Sequence, residues 1–348
     1  MGNLHSVIEV SRKILFGFVA VILGVVLLFI VIRLGGVITN ILHPTPPAPP
    51  TVSFGKLPPP VFPKNVTGQK LSYQLNTVSG ALPTFTDRAT VYKLEQPQPD
   101  LLALQDATTL VAKSNFSNSP VALSESLYQW TNADTLPKTL TYDIVSHNFS
   151  LTSNYLSDTN VMGATNLSDE QAAINTANTF LENFSSVFSD IDNSKTKTTL
   201  FSINNNALVP ASSLSTAQVI RVDYFQKNIE NTPVYYGNPQ YGNISIFVAS
   251  SDVAQQVVEA HVFHMNVSEI NATYPIKSAQ TAFDDLKKGN AYIASYDGTS
   301  PTVTIRSVSL GYFIPDSITQ YALPIIVFQG DDNFTAYVNA VTDVFVSK

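Results

Sequence analysis

The sequence predicts an α+β protein carried behind one N-terminal membrane-spanning helix and a proline-rich linker. Three observations predict it. Ile14 to Ile32 is nineteen residues without a charge or a proline. His43 to Lys64 (HPTPPAPPTVSFGKLPPPVFPK) is dense in proline. From about Val66 onward, segments of helical period alternate with segments of period two, each folded by burying one face.

The apolar run comes first. As a helix it measures ~28 Å at ~1.5 Å per residue, close to the ~30 Å hydrocarbon core of a bilayer. Lipid offers no hydrogen-bond partners, so the backbone of such a segment is satisfied best within a helix. The run is longer than a secretory signal core, is followed by Arg33-Leu34 and has no Ala-x-Ala site after it, which predicts a retained signal anchor over 14–34. Arg12 and Lys13 stand before it against Arg33 alone after it. The positive-inside rule therefore puts residues 1–13 in the cytoplasm and the C-terminal body outside, in a single-pass cell-membrane protein. Gly17 and Gly24 are seven apart, so the anchor carries no Gly-x-x-x-Gly pairing motif. Residues 35–65 read as a polyproline spacer, at ~3.1 Å per residue, holding the body off the bilayer.

Composition narrows the function classes. The chain has no cysteine, 13% charged residues and a net charge of -7. Without cysteine there are no disulfides, thiol nucleophiles or zinc-thiolate sites. An acidic, lysine-poor surface lacks the clustered cations that nucleic acid requires, so no nucleic-acid partner is expected. Asn-x-Ser/Thr triplets occur at Asn65, Asn115, Asn148, Asn166, Asn183, Asn243, Asn266, Asn271 and Asn333. In a secreted eukaryotic protein they would predict glycans on surface loops, and in a chain this rich in Asn, Ser and Thr they are also expected by chance.

The body reads as a helix followed by an antiparallel meander, written about three times: a first subdomain over 66–165, then repeats over 166–272 and 273–348. In the first, 70–78 and 90–95 read as strands. Pro99-Asp100 opens a helix to about Ala112, proline and an acid both suiting a first turn. Strands over 121–131, 139–145 and 148–155 complete a meander. In the second, Ser168-Asp-Glu-Gln171 has the form of a capping box. Ile174, Ala177, Leu181, Phe184 and Phe188 follow at steps of 3, 4, 3 and 4, the stripe of a core-facing helix. Strands are predicted at 219–226, 233–236, 243–249 and 256–267. In the third, Ile276, Ala279, Phe283 and Leu286 mark a helix ended by Gly289 in a left-handed cap. Strands at 302–313, 322–329 and 334–341 follow, with a phase slip near Arg306 that predicts a bulge, and with Gly330-Asp-Asp-Asn333 as the last turn.

The segments IRVDYFQKNIENTPVYYG, GNISIFVASSDVAQQVVEAHVF, YPIKSAQTAFDDLKKGNAYI and VSLGYFIPDSITQYALPIIVFQGDDNFTAYVNAV resemble the PepSY-like strand repeats, linking helix and terminal strands of the extracytoplasmic YycI/YycH family. The likeness covers about 166–345, and the single N-terminal membrane helix matches too. It implies a membrane-anchored regulator that binds and restrains a sensor histidine kinase, and it implies no catalytic residues. The long proline stalk and the Asn/Thr-rich surface depart from that family and leave the partner open.

A search for chemistry agrees that no enzyme, cofactor or metal is expected. His261 and His264 fall in a predicted strand, where a spacing of three points them to opposite faces. Asp190-Ile-Asp192-Asn-Ser194 begins like a calcium loop, but Lys195 stands where glycine is needed. Asp284-Asp285 read as a solvated helix face, and Asp331-Asp332 as hairpin-turn acids. There is no Gly-x-Ser-x-Gly elbow. The site the residues favour is aromatic: Tyr224, Phe225, Tyr235, Tyr236 and Tyr241 crowd the turn Gly237–Gly242, offering rigid area and hydroxyls for a protein interface or a sugar platform. Tyr312, Phe313 and Tyr321 form a second, more core-like candidate. The function expected is a non-catalytic, membrane-anchored regulator or scaffold that binds another envelope protein. The alternatives are a cell-wall glycan or peptide binding module and, behind it, an envelope hydrolase.

Overall fold

A computed structural model describes residues 12, 15–19, 21–33, 49–164, 167, 169–250 and 255–347. Residues 1–11, 13, 14 and 34–48, which hold most of the expected tail and half of the linker, lie outside the described residues, as do Asn166 and Ser168. The chain divides into two compact units, 1–49 and 50–348. In the first, helix α1 (Leu15–Arg33) has a mean hydropathy of 3.3 and no buried residue. It is long and apolar enough to cross a membrane.

The second unit is mostly sheet. It runs β1 (Ser72–Leu75), β2 (Arg88–Leu94), α2 (Ala103–Ala112), β3 (Val121–Ala122), β4 (Leu127–Thr131), β5 (Lys138–Asp143) and β6 (Phe149–Ser153). Then come α3 (Thr159–Gly163), α4 (Glu170–Asn183), β7 (Lys197–Asn204), β8 (Ala207–Pro210), β9 (Val219–Tyr224), β10 (Val234–Tyr235), β11 (Ile244–Ser250) and β12 (Gln255–Val262). The last part is β13 (Val267–Pro275), α5 (Ala279–Lys288), β14 (Tyr292–Ser295), β15 (Thr302–Phe313), β16 (Tyr321–Gly330) and β17 (Thr335–Asn339).

These strands form two sheets rather than three meanders. Nine strands pair in the order β3-β4-β5-β6-β12-β11-β9-β7-β8, all antiparallel. The other sheet has the path β1-β15-β16-β17-β14, with β10 beside β15 and β2 joining β16 to β13. The expected first subdomain is therefore split: β1 and β2 pair with C-terminal strands, and β6 pairs with β12. Alternation states which face of a strand is buried and leaves its partner open.

Helix packing follows the apolar stripes. Ala103, Ala107 and Val111 of α2 and Ala173, Ala177 and Leu181 of α4 share one core with Trp130, Leu140, Phe149, Val222 and Ile246. The cap of α4 is Asp169, whose carboxylate accepts from Ala172 N, while Gln171 bonds to Asn175; the predicted box begins one residue early, and its Ser168 is outside the described residues. Pro99 precedes α2 instead of opening it, since Asp100 makes a turn by accepting from Leu102 N. Ser278 caps α5 and Gly289 closes it at φ 83°. Asp285 is not solvated: with Lys277 it forms a mostly buried pair at 2.9 Å. Asp284 pairs with Lys287.

The register of β15 on β16 shifts between Ile305 and Ser307, as the phase slip predicts, and Arg306 at that point makes a two-pronged contact with Asp331. The β7–β8 hairpin and β14 have no counterpart in the sequence reading. Asn205 and Asn206 turn the hairpin with φ of 50° and 58°, an asparagine solution to a left-handed turn. The predicted strand 256–267 is two strands in different sheets.

The described half of the linker is not a free spacer. Val52 N donates to Thr273 O at 3.1 Å along the edge of β13, and Val66 N donates to Ile293 O at 3.1 Å on β14. Between them Leu57 is fully buried, bonds to Phe345 and Ser347, and Phe62 packs 4.8 Å from Phe313. Prolines supply apolar rings at low unfolded-state entropy, and Leu57 and Phe62 supply the burial, so residues 50–66 are a strap on the sheet. Leu57→Ala is expected to cost ~2–4 kcal/mol of unfolding free energy. Leu101→Ala, at a fully exposed position, should stay within ~0.5 kcal/mol. Urea unfolding measures both, and a silent Leu57→Ala would return this segment to a spacer.

Candidate functional site

The site grows from the four residues that carry the chain from β12 to β13. Strand pairing ends at Val262, so the backbone of 263–266 needs other partners. Phe263 N finds Asn243 O at 2.9 Å, and His264 N finds Asn148 Oδ1 at 2.9 Å. The His264 side chain is 4% exposed, with Nε2 2.8 Å from Asp190 Oδ1. Its ring stacks on Phe188 at 3.9 Å. Gln226 Nε2 donates to Asp190 Oδ2 at 2.8 Å and to Met265 O, and Gln226 N donates to the Tyr236 hydroxyl at 2.8 Å. Asn266 Nδ2 reaches Glu95 Oε2 at 3.0 Å. Burial pushes the Asp190 carboxyl up, but hydrogen bonds and charge from His264, with Gln226 and the backbone, pull harder and hold it below its ordinary value.

Two clefts flank this network. One, of about 530 Å³, lies among the segment after β2, the β5–β6 turn and the residues after α4, with His264 in its wall. Another, of about 430 Å³, shares Glu95 and Asn266 with it and has Asp190, Gln226 and Lys227 in its wall. In the first, His147 Nδ1 is 3.0 Å from the Tyr142 hydroxyl, which burial and then the Asp143 charge push up to about 12. His147 and Ser185 both line this cleft with left-handed backbones, at φ 61° and 54°. Ser185 closes α4 in the place where glycine is usual, with Ser186 N bonded to Leu181 O.

The expected aromatic platform does not form. Tyr224 is buried under α4, its hydroxyl on Asn178. Tyr236 is buried as the acceptor for Gln226 N. Tyr235 belongs to the other sheet, its ring against Gly311, where a β-carbon would lie 2.5 Å from it. Phe225 is half-buried beside Tyr236. Tyr241 is half-buried, with the Arg221 guanidinium 3.8 Å from its ring centre. Alternation sends Tyr224 to the helix face, and strand β10 crosses to the second sheet, so neighbours in sequence part company. Tyr312 and Phe313 are core, and Tyr321 packs on Phe54.

His261 pairs with Asp316, apart from His264. Among the described residues, no three His, Asp or Glu side chains are placed to hold a metal. Sequence reasoning touched Asp190 and His264 for other reasons and missed Glu95, His147, Ser185 and Gln226. The one available signal was the missing glycine after the α4 stripe. Asp190 engages His264 Nε2 and Phe188 covers a face of its ring, so the pair forms part of the wall between the two clefts.

No family model and no curated protein matches the chain. Among solved structures it is similar to an uncharacterized protein from Eubacterium rectale ATCC 33656, at 13% identity over 80% of this chain and 92% of that chain, with a TM-score of 0.34. A likeness of that size carries no argument about function.

A carboxyl held low in the fold contributes stability that is present above its unfolded value of ~3.9 and is lost as the pH falls through the folded one. Asp190→Asn should therefore lower unfolding free energy by ~1–3 kcal/mol at neutral pH. The deficit should shrink below about pH 4, as Asp190 itself becomes protonated. Urea unfolding across that range tests it, and a deficit independent of pH would assign the loss to packing.

Proposed function

We propose that this protein is a single-pass membrane protein whose body lies outside the cytoplasm, where it regulates or scaffolds another envelope protein without catalysing a reaction. Helix α1, with its mean hydropathy of 3.3, is the anchor, and Arg12 and Lys13 before it set the orientation. The resemblance of 166–345 to the YycI/YycH regulators supports a sensor kinase as the partner class.

The observation that carries the binding reading is the asymmetry of the sheet edges. In the eight-stranded sheet, the strap occupies the outer edges of β13 and β14, and the one-sided strands β1 and β10 expose only Ser72 and Gln74. The nine-stranded sheet ends in β3 and β8, each paired on one side, with Val121 60% and Val209 41% exposed. An unpaired edge bearing apolar side chains is a template for another chain. The aromatic turn, by contrast, offers no platform, which removes the expected ground for a glycan module at that place.

Photo-crosslinking in native membranes tests this, with the probe at Val121 or Val209 and a control at Val78, a fully exposed residue that follows β1. The expected result is an adduct to one membrane protein from the edge positions and none from the control. Equal labelling from all three, or none from either edge, would overturn the reading.

A further inference from the structure

We propose that the 530 Å³ cleft is a binding site for a compact, neutral sugar of one or two rings. This goes beyond the partner-binding reading and does not rest on it. The volume is in the range of small-ligand sites. Its ionisable lining besides Tyr142 is Glu95, His147 and His264, with no lysine or arginine, so a phosphate or carboxylate would enter without a counter-charge. Among the described residues Glu95 is the one lining carboxylate, with no second acid beside it, so a metal ion would find too few ligands.

Two kinds of surface remain. Pro97, Leu110, Val145 and Phe188 give apolar wall. Against it, Glu95 Oε1, His147 Nε2 and Ser185 Oγ have no partner among the described residues. Apolar wall facing a carboxylate, an imidazole and a hydroxyl suits a ring with a C–H face and several hydroxyls. Those hydroxyls donate to Glu95 and exchange hydrogen bonds with the other two groups. An extended peptide fits less well. The neighbouring strands β2, β5 and β6 are each paired on both sides, so no free strand edge lines the cleft to form a ladder with it.

The backbone supplies the independent observation. His147 and Ser185 hold left-handed φ where glycine would be unstrained, and both lie on this cleft. Strain of this kind persists where the surrounding structure over-determines it, and it gathers at ligand sites.

It also supplies the test. Ser185→Gly removes its proposed contact while relieving the backbone, so it should melt no lower than the parent. His147→Gly relieves its backbone too but also frees the Tyr142 hydroxyl, so it is read on binding rather than on melting. Binding is measured by calorimetry on the full chain in lipid nanodiscs. The probes are cellobiose and N,N′-diacetylchitobiose, with glucose 6-phosphate as the charged control and a neutral tripeptide as the rival class. The expected result is binding of a neutral disaccharide and not of the phosphate, weakened about tenfold in each glycine variant, as for one lost hydrogen bond. Glu95→Gln should weaken it as well. Absence of binding by both disaccharides, unchanged binding in the glycine variants, or binding of the tripeptide alone would each overturn the proposal. None of these outcomes bears on the crosslinking result.

Discussion

The structure depends on one hydrogen-bonded seam where the chain crosses between its two sheets. It crosses four times: after β2, after β9, between β10 and β11, and after β12. Each crossing ends a strand ladder and leaves backbone and side-chain groups in need of partners. Glu95 stands at the first crossing, Gln226 at the second, Tyr236 and Asn243 at the ends of the third, and His264 with Asn266 at the fourth. All of them bond to one another or to Asp190 and neighbouring carbonyls. These bonds tie the residues of all four crossings together and so fix how the two sheets meet.

That seam explains why clefts occur where they do. On either side, apolar stripes fill the sheet faces: α2 and α4 over the nine-stranded sheet, α5 over the other. Between them the packing elements are turns and helix ends, which carry polar groups and leave space. A small core of Tyr92, Leu94, Tyr236, Met265 and Tyr312 closes part of the seam. The remainder is open to ligand-sized molecules on the sides lined by His264 and by Asp190.

Local structure was legible in the sequence and long-range pairing was not. The α4 and α5 stripes, the Gly289 cap, strand β15 and the bulge at Arg306 all follow from periods and turn chemistry acting within a few residues. The partner of β1 is β15, some 230 residues away, and no local pattern names it. The same gap misled the reading of Pro50 to Lys64: proline density states stiffness, and only the positions of Leu57 and Phe62 show that the segment is packed. The aromatic turn failed for a related reason, since Tyr224 and Tyr235 are eleven residues apart yet serve different sheets. The candidate site was the least legible part, because its residues are single polar side chains at crossings rather than a spaced motif.

Of the two proposed sites, the cleft lies in this seam, while the edge strands β3 and β8 are the outer ends of the nine-stranded sheet. The cleft draws one wall from the segment after β2 and from the β12–β13 linker, and the other from the β5–β6 turn and the residues after α4. A ligand there touches groups on both sides of the sheet junction. The open edges that carry exposed apolar side chains, at Val121 and Val209, belong to the nine-stranded sheet. If ligand and partner each favour one arrangement of the two sheets, binding of either changes the affinity for the other by the same factor. The His264–Asp190 contact limits how far that arrangement can shift, because parting it strips a buried imidazole of its Nε2 partner and leaves Asp190 to Gln226.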